Sequence, residues 1–333
     1  MKRVILITGA TGFLGRYLID ELKKDYDIIA VGRNEKVGKA LNSEGCRFYK
    51  VDFSNKNQLE SVFEDEHIDY IIHAGALSSA WGKWEDFYKS NVAGTKNVAD
   101  CAEKYGVKRL VFVSSPSVYT AKKSLFNIKE NEFDKNNKLN YYIKSKIMGE
   151  EIINDKCKNG LYTVIIRPRG LIGIGDPSLM PRLMRANGKI GIPIINKGKN
   201  LVDITCVENV AYSCRLAIEK NDINGETFNI TNGEPSEFKK LLEQFCISAD
   251  EVPKFLNVPF GLLYCVAAIL EGIYKLFRFK GEPILTRYTI CTLGFSQTLN
   301  IEKAKEKLDY NPKISLEEGI KKYGKWWKEN KDN

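Results

Sequence analysis

The sequence predicts an α/β fold: a doubly wound parallel sheet followed by a smaller, less regular C-terminal part. Two observations carry that expectation. Short runs rich in β-branched residues alternate with helix-period runs as far as Pro168, which implies parallel β-α-β units. Beyond Pro168 the alternation loosens into segments bearing glycine and proline.

The elements follow in order. Val4–Thr8 is a strand that meets Gly9-Ala-Thr-Gly12-Phe-Leu-Gly15. Phe13, Leu14, Leu18, Ile19 and Leu22 then recur at helical spacing. Asp27–Gly32 is a second strand. Arg47–Val51 leads to Asp52, and a helix surrounds Leu59–Phe63. Tyr70–Ala74 is a buried strand ending in Gly75-Ala76, with a helix after it through Phe87, Tyr88, Val92 and Val98. Arg109–Val113 and Leu161–Arg167 are strands on either side of a helix over Tyr142–Asn154. Gly170 to Gly198 is expected to be loop. Leu201–Thr205 and Thr227–Ile230 are short strands around a helix at Val207–Ile218, and Phe238–Phe245 and Ile301–Leu308 are helical.

Composition narrows the class. A chain of 333 residues with 43% hydrophobic and 28% charged content suits a globule of one or two domains. The net charge is +9, from 51 basic and 42 acidic residues. The lysines are scattered and form no stripe interleaved with aromatics, so nucleic acid is not expected as a partner. Attraction of anionic ligands, or of an anionic membrane surface, is the more modest consequence. Eight widely spaced cysteines without a C-x-x-C, and only His67 and His73 to join them, argue against zinc and for reduced thiols in the cytoplasm. No metal is expected. Lys2-Arg3 precedes an apolar run that ends at Thr8-Gly9, too short for a secretory signal.

Phe255–Leu270 is sixteen residues without charge. It falls short of the roughly 20 apolar residues needed to cross a bilayer. Lys275, Arg278 and Lys280 follow, interleaved with Leu276, Phe277 and Phe279. The segment reads either as a buried helix pair or as an apolar lid that makes peripheral membrane contact through 255–280.

The chemistry begins at the first turn. A strand, a glycine turn and a helix start bring the positive end of a helix against a dinucleotide pyrophosphate. Gly9 would permit the tight turn, Gly12 the approach of phosphate, and Gly15 the packing of helix on strand. Tyr142 and Lys146 lie four apart, so a helix puts them on one face. Tyr141 lacks such a partner, its fourth-next residue being Ser145. A phenol has a reference pKa near ~10. A neighbouring ammonium, together with a positive nicotinamide ring, is expected to lower it and let Tyr142 exchange a proton with a substrate oxygen. At the end of the second strand stands Gly32-Arg33-Asn34, with no carboxylate before Glu35. Arg33 can clamp a 2′-phosphate, and Arg16 is near, so NADP(H) is favoured and NAD(H) is the alternative. His73 sits in a buried strand and reads as a packed histidine.

With Thr8 and Ala10-Thr11, the spacing G-x-x-G-x-x-G resembles the short-chain dehydrogenase/reductase superfamily in its extended branch, a Rossmann-like fold; the resemblance implies a dinucleotide-binding core over 1–168, with returning segments near 201–231, and a mainly substrate-holding domain over 169–333. Leu110–Tyr119 (LVFVSSPSVY), Tyr142-Ile-Lys-Ser-Lys146, NVAGTKNV at Asn91–Val98 and IRP at Ile166–Pro168 extend the resemblance over nearly the whole chain. It implies catalytic roles for Ser115, Tyr142, Lys146 and Asn91, with Ser114 as the alternative to Ser115. It implies cofactor contacts at Gly9, Thr11, Gly12, Phe13, Leu14, Gly15, Arg33, Asp52, Phe53, Ala74, Gly75, Ala76, Lys146, Pro168 and Gly170. Asn91 would support a helix kink and a relay water, or simply cap a helix. Asp52 would reach the adenine, or be a solvated turn residue.

Arg167-Pro168-Arg169-Gly170-Leu-Ile-Gly173-Ile-Gly175-Asp176 lacks the asparagine usual in nucleotide-sugar enzymes. It looks more like the group of 3β-hydroxysteroid dehydrogenases, sterol-4-carboxylate dehydrogenases and 2-alkyl-3-oxoalkanoate reductases. The resemblance implies an NAD(P)-dependent oxidoreductase acting on a secondary alcohol or ketone of a hydrophobic substrate, a 3β-hydroxysteroid or a 3-oxo acyl compound. The alternatives are a nucleotide-sugar epimerase or reductase, and a cofactor-binding protein without turnover. A homodimer is compatible with the fold.

Overall fold

The computed structural model describes residues 2–177, 179–189, 191–279 and 281–331. Lys280 therefore lies outside the described residues. In chain order the elements are β1 Arg3–Thr8, α1 Phe13–Leu22, β2 Tyr26–Gly32, α2 Glu35–Ser43, β3 Arg47–Lys50, α3 Lys56–Asp65, β4 Tyr70–His73 and α4 Trp84–Phe87. A π-helical turn over Tyr88–Ala93 joins α4 to α5 Gly94–Lys104. Next come β5 Arg109–Val113, a 3-10 turn Pro116–Tyr119, β6 Leu125–Ile128, α6 Tyr141–Lys158, β7 Thr163–Pro168, β8 Leu171–Ile172, α7 Leu179–Lys189 and β9 Ile192–Ile194. The rest are β10 Leu201–Val202, β11 Thr205–Cys206, α8 Val207–Glu219, β12 Glu226–Ile230, β13 Ser236–Glu237, α9 Phe238–Ser248, β14 Phe255–Asn257, α10 Phe260–Leu276, α11 Arg287–Gly294, β15 Gln297–Leu299, α12 Glu302–Leu308 and α13 Leu316–Asn330.

The main sheet has seven strands in the order β12-β7-β5-β4-β1-β2-β3, all parallel. The order runs outward in opposite senses from β1 and β4. The crevice at their carboxyl ends is thus a topological switch point, where open α/β sheets bind ligands. Strand alternation explains the two-sided burial. Ile5, Ile7, Ala30, Ile72 and Val111 pack on the side of α1 and α8. Leu6, Ile29, Val31, Ile71 and Phe112 pack on the side of α3 and α5.

A separate apolar cluster joins Ile172, Met184, Val202, Phe245 and Tyr323 beyond Pro168. A small four-stranded sheet, β13-β10-β15-β6, joins three strands from beyond Pro168 to Leu125–Ile128. The expected single strand Leu201–Thr205 divides into β10 and β11, which pair in different sheets. The expected loop at Gly170–Gly198 contains the eleven-residue helix α7. The buried helix pair does not describe the apolar stretch either. In α10 only Ala267 and Glu271 are buried, while Leu262, Ile269 and Leu276 are 57%, 63% and 76% exposed.

Candidate active site

Gly9 follows β1 with φ +70°, a left-handed conformation that glycine adopts without strain. A Cβ there would lie 2.7 Å from Gly75 Cα, so the two turns beside the switch point touch backbone to backbone. The Gly12 amide donates to Gly9 O at 2.9 Å, and Gly12 caps α1 without any side-chain hydrogen bond. The first amides of α1, which begins at Phe13 and Leu14, are thus left to hold an anion. A Cβ at Gly15 would lie 2.6 Å from Ala10 Cα, which fixes the helix against the turn. Thr11 fills the space over Gly32, where a Cβ would lie 2.6 Å from its Oγ1.

Arg33 stands exposed just past β2 and, among the described residues, forms no ion pair. Its neighbours are engaged. Asn34 caps α2 by accepting from Val37 N at 3.2 Å, and Glu35 pairs with Lys50 at 2.8 Å and Lys39 at 3.3 Å. Arg16 is also occupied, 2.7 Å from Glu44. Asp52 accepts from the Ser54 amide at 3.0 Å and its hydroxyl at 2.7 Å, the geometry of a turn aspartate. Burial works against its ionised form, yet the Ser54 hydrogen bonds and the charges of Arg33 and Lys89 hold the carboxyl below its usual range. Phe53 lies under the Gly75 turn, where a Cβ would come within 2.5 Å of its ring. Ala74 and Ala76, both half-buried, flank Gly75.

The polar centre forms where β5 ends above α6. Ser114 and Ser115 have different partners. The Ser114 hydroxyl donates to Glu150, which is buried and paired with Arg167 at 2.6 Å. Ser115 Oγ accepts from Ser117 N at 3.2 Å and bonds to the Tyr142 phenol. Ser78 also hydrogen-bonds that phenol. It belongs to the loop after β4, and nothing in its sequence context singled it out.

The lowered phenol expected from the sequence is not what the protein alone presents. Burial raises the Tyr142 pKa, and the Ser115 and Ser78 hydrogen bonds oppose it only in part. Lys146 shares the helix face but points its Nζ at Val113 O, 2.8 Å away, over the Phe112 ring. Burial pushes the Lys146 ammonium down to about 8, with Glu150 acting against the shift.

Asn91 is 2% exposed within the π-helical turn and caps no helix. Its Oδ1 accepts from Leu77 N at 2.7 Å. Its Nδ2 donates to Leu77 O at 3.0 Å and to Ser145 Oγ at 2.9 Å. His73, 0% exposed, bridges Thr8 Oγ1 at 2.6 Å and Thr95 Oγ1 at 3.0 Å. Burial, and then the charge of Lys146, push its pKa down to about 3, so it is neutral. Thr95 donates to Asn91 O at 2.7 Å and must therefore accept from His73. Hence the imidazole carries its proton on Nε2, and Nδ1 accepts from Thr8.

At the end of β7, Pro168 pairs with Ile230. Gly170 turns at φ +52°, and its carbonyl accepts from Thr205 N at 3.0 Å. A cavity of about 440 Å³ borders Val118–Lys123 and Glu132–Leu139, but neither Tyr142 nor Lys146 lines it.

Comparison with known proteins places the chain in a family. The family model described as "NAD dependent epimerase/dehydratase family" matches residues 5–231. The 2-alkyl-3-oxoalkanoate reductase of Stenotrophomonas maltophilia is 30% identical over 96% of this chain and 97% of its own. The decarboxylating sterol-4-alpha-carboxylate 3-dehydrogenase of Candida albicans is 31% identical over 98% and 97%. An uncharacterised Escherichia coli protein is 32% identical over 97% of each chain. Among solved structures, the UDP-glucose 4-epimerase of Thermotoga maritima superposes with a TM-score of 0.75 at 24% identity, covering 98% of this chain and 99% of its own. That likeness speaks for the fold. The chain belongs to the NAD dependent epimerase/dehydratase family and is an NAD(P)-dependent oxidoreductase of the extended short-chain dehydrogenase/reductase type.

Proposed function

We propose that the protein interconverts a secondary alcohol and a ketone on a hydrophobic substrate, a 3β-hydroxysteroid or a 3-oxo acyl compound, with NADP(H) as the preferred cofactor. The observation that carries this reading is the Tyr142 phenol held by the hydroxyls of Ser115 and Ser78, with Lys146 one turn along α6. In reduction, Ser115 holds the substrate oxygen and Tyr142 donates its proton to it as the alkoxide forms. The raised phenol pKa suits that direction, because the acid is protonated at neutral pH. Lys146 turns from Val113 O to the cofactor ribose and stabilises the phenolate left behind. The bound nicotinamide supplies the hydride in reduction and accepts it in oxidation. Gly9, Thr11, Gly12, Phe13, Leu14 and Gly15 would cradle the pyrophosphate. Asp52, Phe53, Ala74, Gly75 and Ala76 would border the adenosine, and Pro168 and Gly170 the nicotinamide. The tight approach of Gly9 to Gly75 and the uncapped start of α1 fit such a group.

The substrate class follows the relatives' names. A 2-alkyl-3-oxoalkanoate and a sterol-4-carboxylate oxidised at C3 both carry the reacting oxygen β to a carboxylate. In this reading residues 1–168 with the 201–231 segment hold the cofactor, and the remainder holds the substrate. The chain works in the cytoplasm, consistent with its eight free cysteines. It touches an anionic membrane surface through the exposed side of α10. No helix among the described residues is long and apolar enough to cross a membrane. The test is turnover with NADP(H) and NAD(H) against 3β-hydroxysteroids, 3-hydroxy and 3-oxo acids, and UDP-sugars. Activity confined to UDP-sugars, or none with any alcohol or ketone, would refute the reading.

A further inference from the structure

Two arginines flank Pro168 at the end of β7, and the protein treats them differently. Arg167 is buried with every arm engaged. Its Nε and Nη2 donate to Glu150 at 2.8 and 2.6 Å, and its Nη1 donates to Tyr119 and to Glu130 O. Arg169 is 8% exposed, yet its Nε has no hydrogen-bond partner, and among the described residues it forms no ion pair. Its backbone is pinned, the amide donating to Ile230 O at 2.9 Å and the carbonyl accepting from Thr205 Oγ1. The position is therefore fixed by the sheet. An arginine stays charged at any physiological pH, and a buried cation without a partner is costly. Asp203 is close enough to act on it but, among the described residues, forms no ion pair, and its Oδ2 accepts from Leu299 N at 2.7 Å.

The surroundings of Arg169 lead to the polar centre. In the β5·β7 register Val113 faces Ile166, so Ser115 comes level with Pro168 and Arg169 is the next residue. Tyr288, on α11, interacts electrostatically with both Arg169 and Tyr142. Tyr288 is thus within electrostatic reach of both the unused guanidinium donor and the phenol.

We propose that Arg169 binds the carboxylate of the substrate, making the protein selective for β-hydroxy and β-oxo carboxylic acids over neutral alcohols and ketones. The inference rests on the oxidoreductase reading above and names the group that this site recognises. A carboxylate matches the planar guanidinium in shape and charge. In the β relation it reaches a second anchor while its neighbouring oxygen stays on Tyr142 and Ser115. Phosphorylated nucleotide sugars place their charge farther from the reacting carbon and fit this spacing poorly.

The experiment compares a 2-alkyl-3-hydroxyalkanoate with its methyl ester as substrates, with NADP+ and with NAD+. The wild type is expected to favour the acid by about tenfold to a hundredfold in kcat/KM, the range for a charge-assisted hydrogen bond. Arg169→Gln should erase that ratio through KM, and Arg169→Lys should restore part of it. A second readout needs no turnover: calorimetric binding of a 2-alkylalkanoate, which lacks the reacting oxygen, to the enzyme–cofactor complex. Its affinity should fall by a similar factor in Arg169→Gln. Equal use of acid and ester by the wild type overturns the assignment and leaves the oxidoreductase reading standing. An acid preference, or an alkanoate affinity, that survives Arg169→Gln does the same. No oxidation of any alcohol, with alkanoate binding still lost in the variant, keeps the carboxylate site and overturns the catalytic reading. If Arg169→Gln does not fold, the wild-type ratio and Arg169→Lys decide.

Discussion

Lys146→Met should remove turnover and make the protein more stable at neutral pH. Lys146 is 3% exposed, with Val113 O as its hydrogen-bond acceptor, and burial holds its pKa at about 8 rather than 10.5. A depression of about 2.5 units corresponds to roughly 3 kcal/mol against the charged form in the folded state. Methionine keeps the apolar stem over Phe112 but gives up the bond to Val113 O, which returns about 1 kcal/mol. The net expectation is about 2 kcal/mol, seen as a rise of a few degrees in Tm. Its pH dependence is the stricter check. Below pH 8 the lysine is charged in both states and the full penalty applies. Between about 8 and 10.4 the folded state has lost the proton while the unfolded chain keeps it, so wild-type stability rises with pH relative to the variant. The gap between the two proteins should shrink across that window. Thermal unfolding at pH 7, 8, 9 and 10 reads it. A variant that melts below the wild type at pH 7, or a gap that ignores pH, would refute the argument from burial.

Four further outcomes are expected. Tyr142→Phe should leave the cofactor dissociation constant near the wild-type value and abolish kcat. Ser115→Ala should lower kcat by roughly 10²-fold, and a larger loss from Ser114→Ala would move the assignment to the serine now bound to Glu150. Arg33→Asp should turn a preference for NADPH into one for NADH, a swing of about tenfold or more in the ratio of dissociation constants; a ratio indifferent to the substitution removes the NADP assignment. Replacing Leu262, Ile269, Ile273 and Leu276 together by asparagine should abolish co-sedimentation with phosphatidylserine vesicles while cofactor affinity holds. Wild-type protein that ignores such vesicles, or a variant that still binds them, removes the membrane contact.

The alternation of strands and helices to Pro168 was legible because the central strands of the main sheet are buried on both faces and so read as apolar runs. The glycine turn was legible because its spacing is a backbone requirement, visible in the Gly9–Gly75 contact. The segment after Gly170 was not. Pro181 reads as a helix breaker, but it lies in the first turn of α7, where a missing amide costs nothing. Apolar content alone suggested that α10 is buried, and its exposure depends on what the rest of the chain covers. Tyr142 and Lys146 could be chosen from spacing on one helix. Ser78 could not, since only the crossing of the β4 loop over α6 brings it to the phenol. The expectation of a lowered phenol counted the Lys146 ammonium and a positive nicotinamide ring; in the protein alone desolvation is the larger effect at this buried site.

Asn91 shows how these parts are held in register. The Gly75 amide donates to Thr8 Oγ1 at 3.1 Å, Thr8 donates to His73, His73 to Thr95, and Thr95 to Asn91 O. From the same residue, Asn91 Nδ2 donates to Ser145 Oγ, which donates to Tyr142 O at 2.8 Å. One run of hydrogen bonds therefore links the turn beside the glycine cradle to the backbone of the tyrosine that faces Ser115. Every link is a neutral group, and every donor along it has a fixed acceptor, so the run has one low-energy orientation. A charged histidine would break it, because protonated Nδ1 could no longer accept from Thr8. The very low pKa of His73 is thus what this arrangement needs: a buried imidazole that stays neutral and holds the Gly75 turn and α6 at a fixed separation.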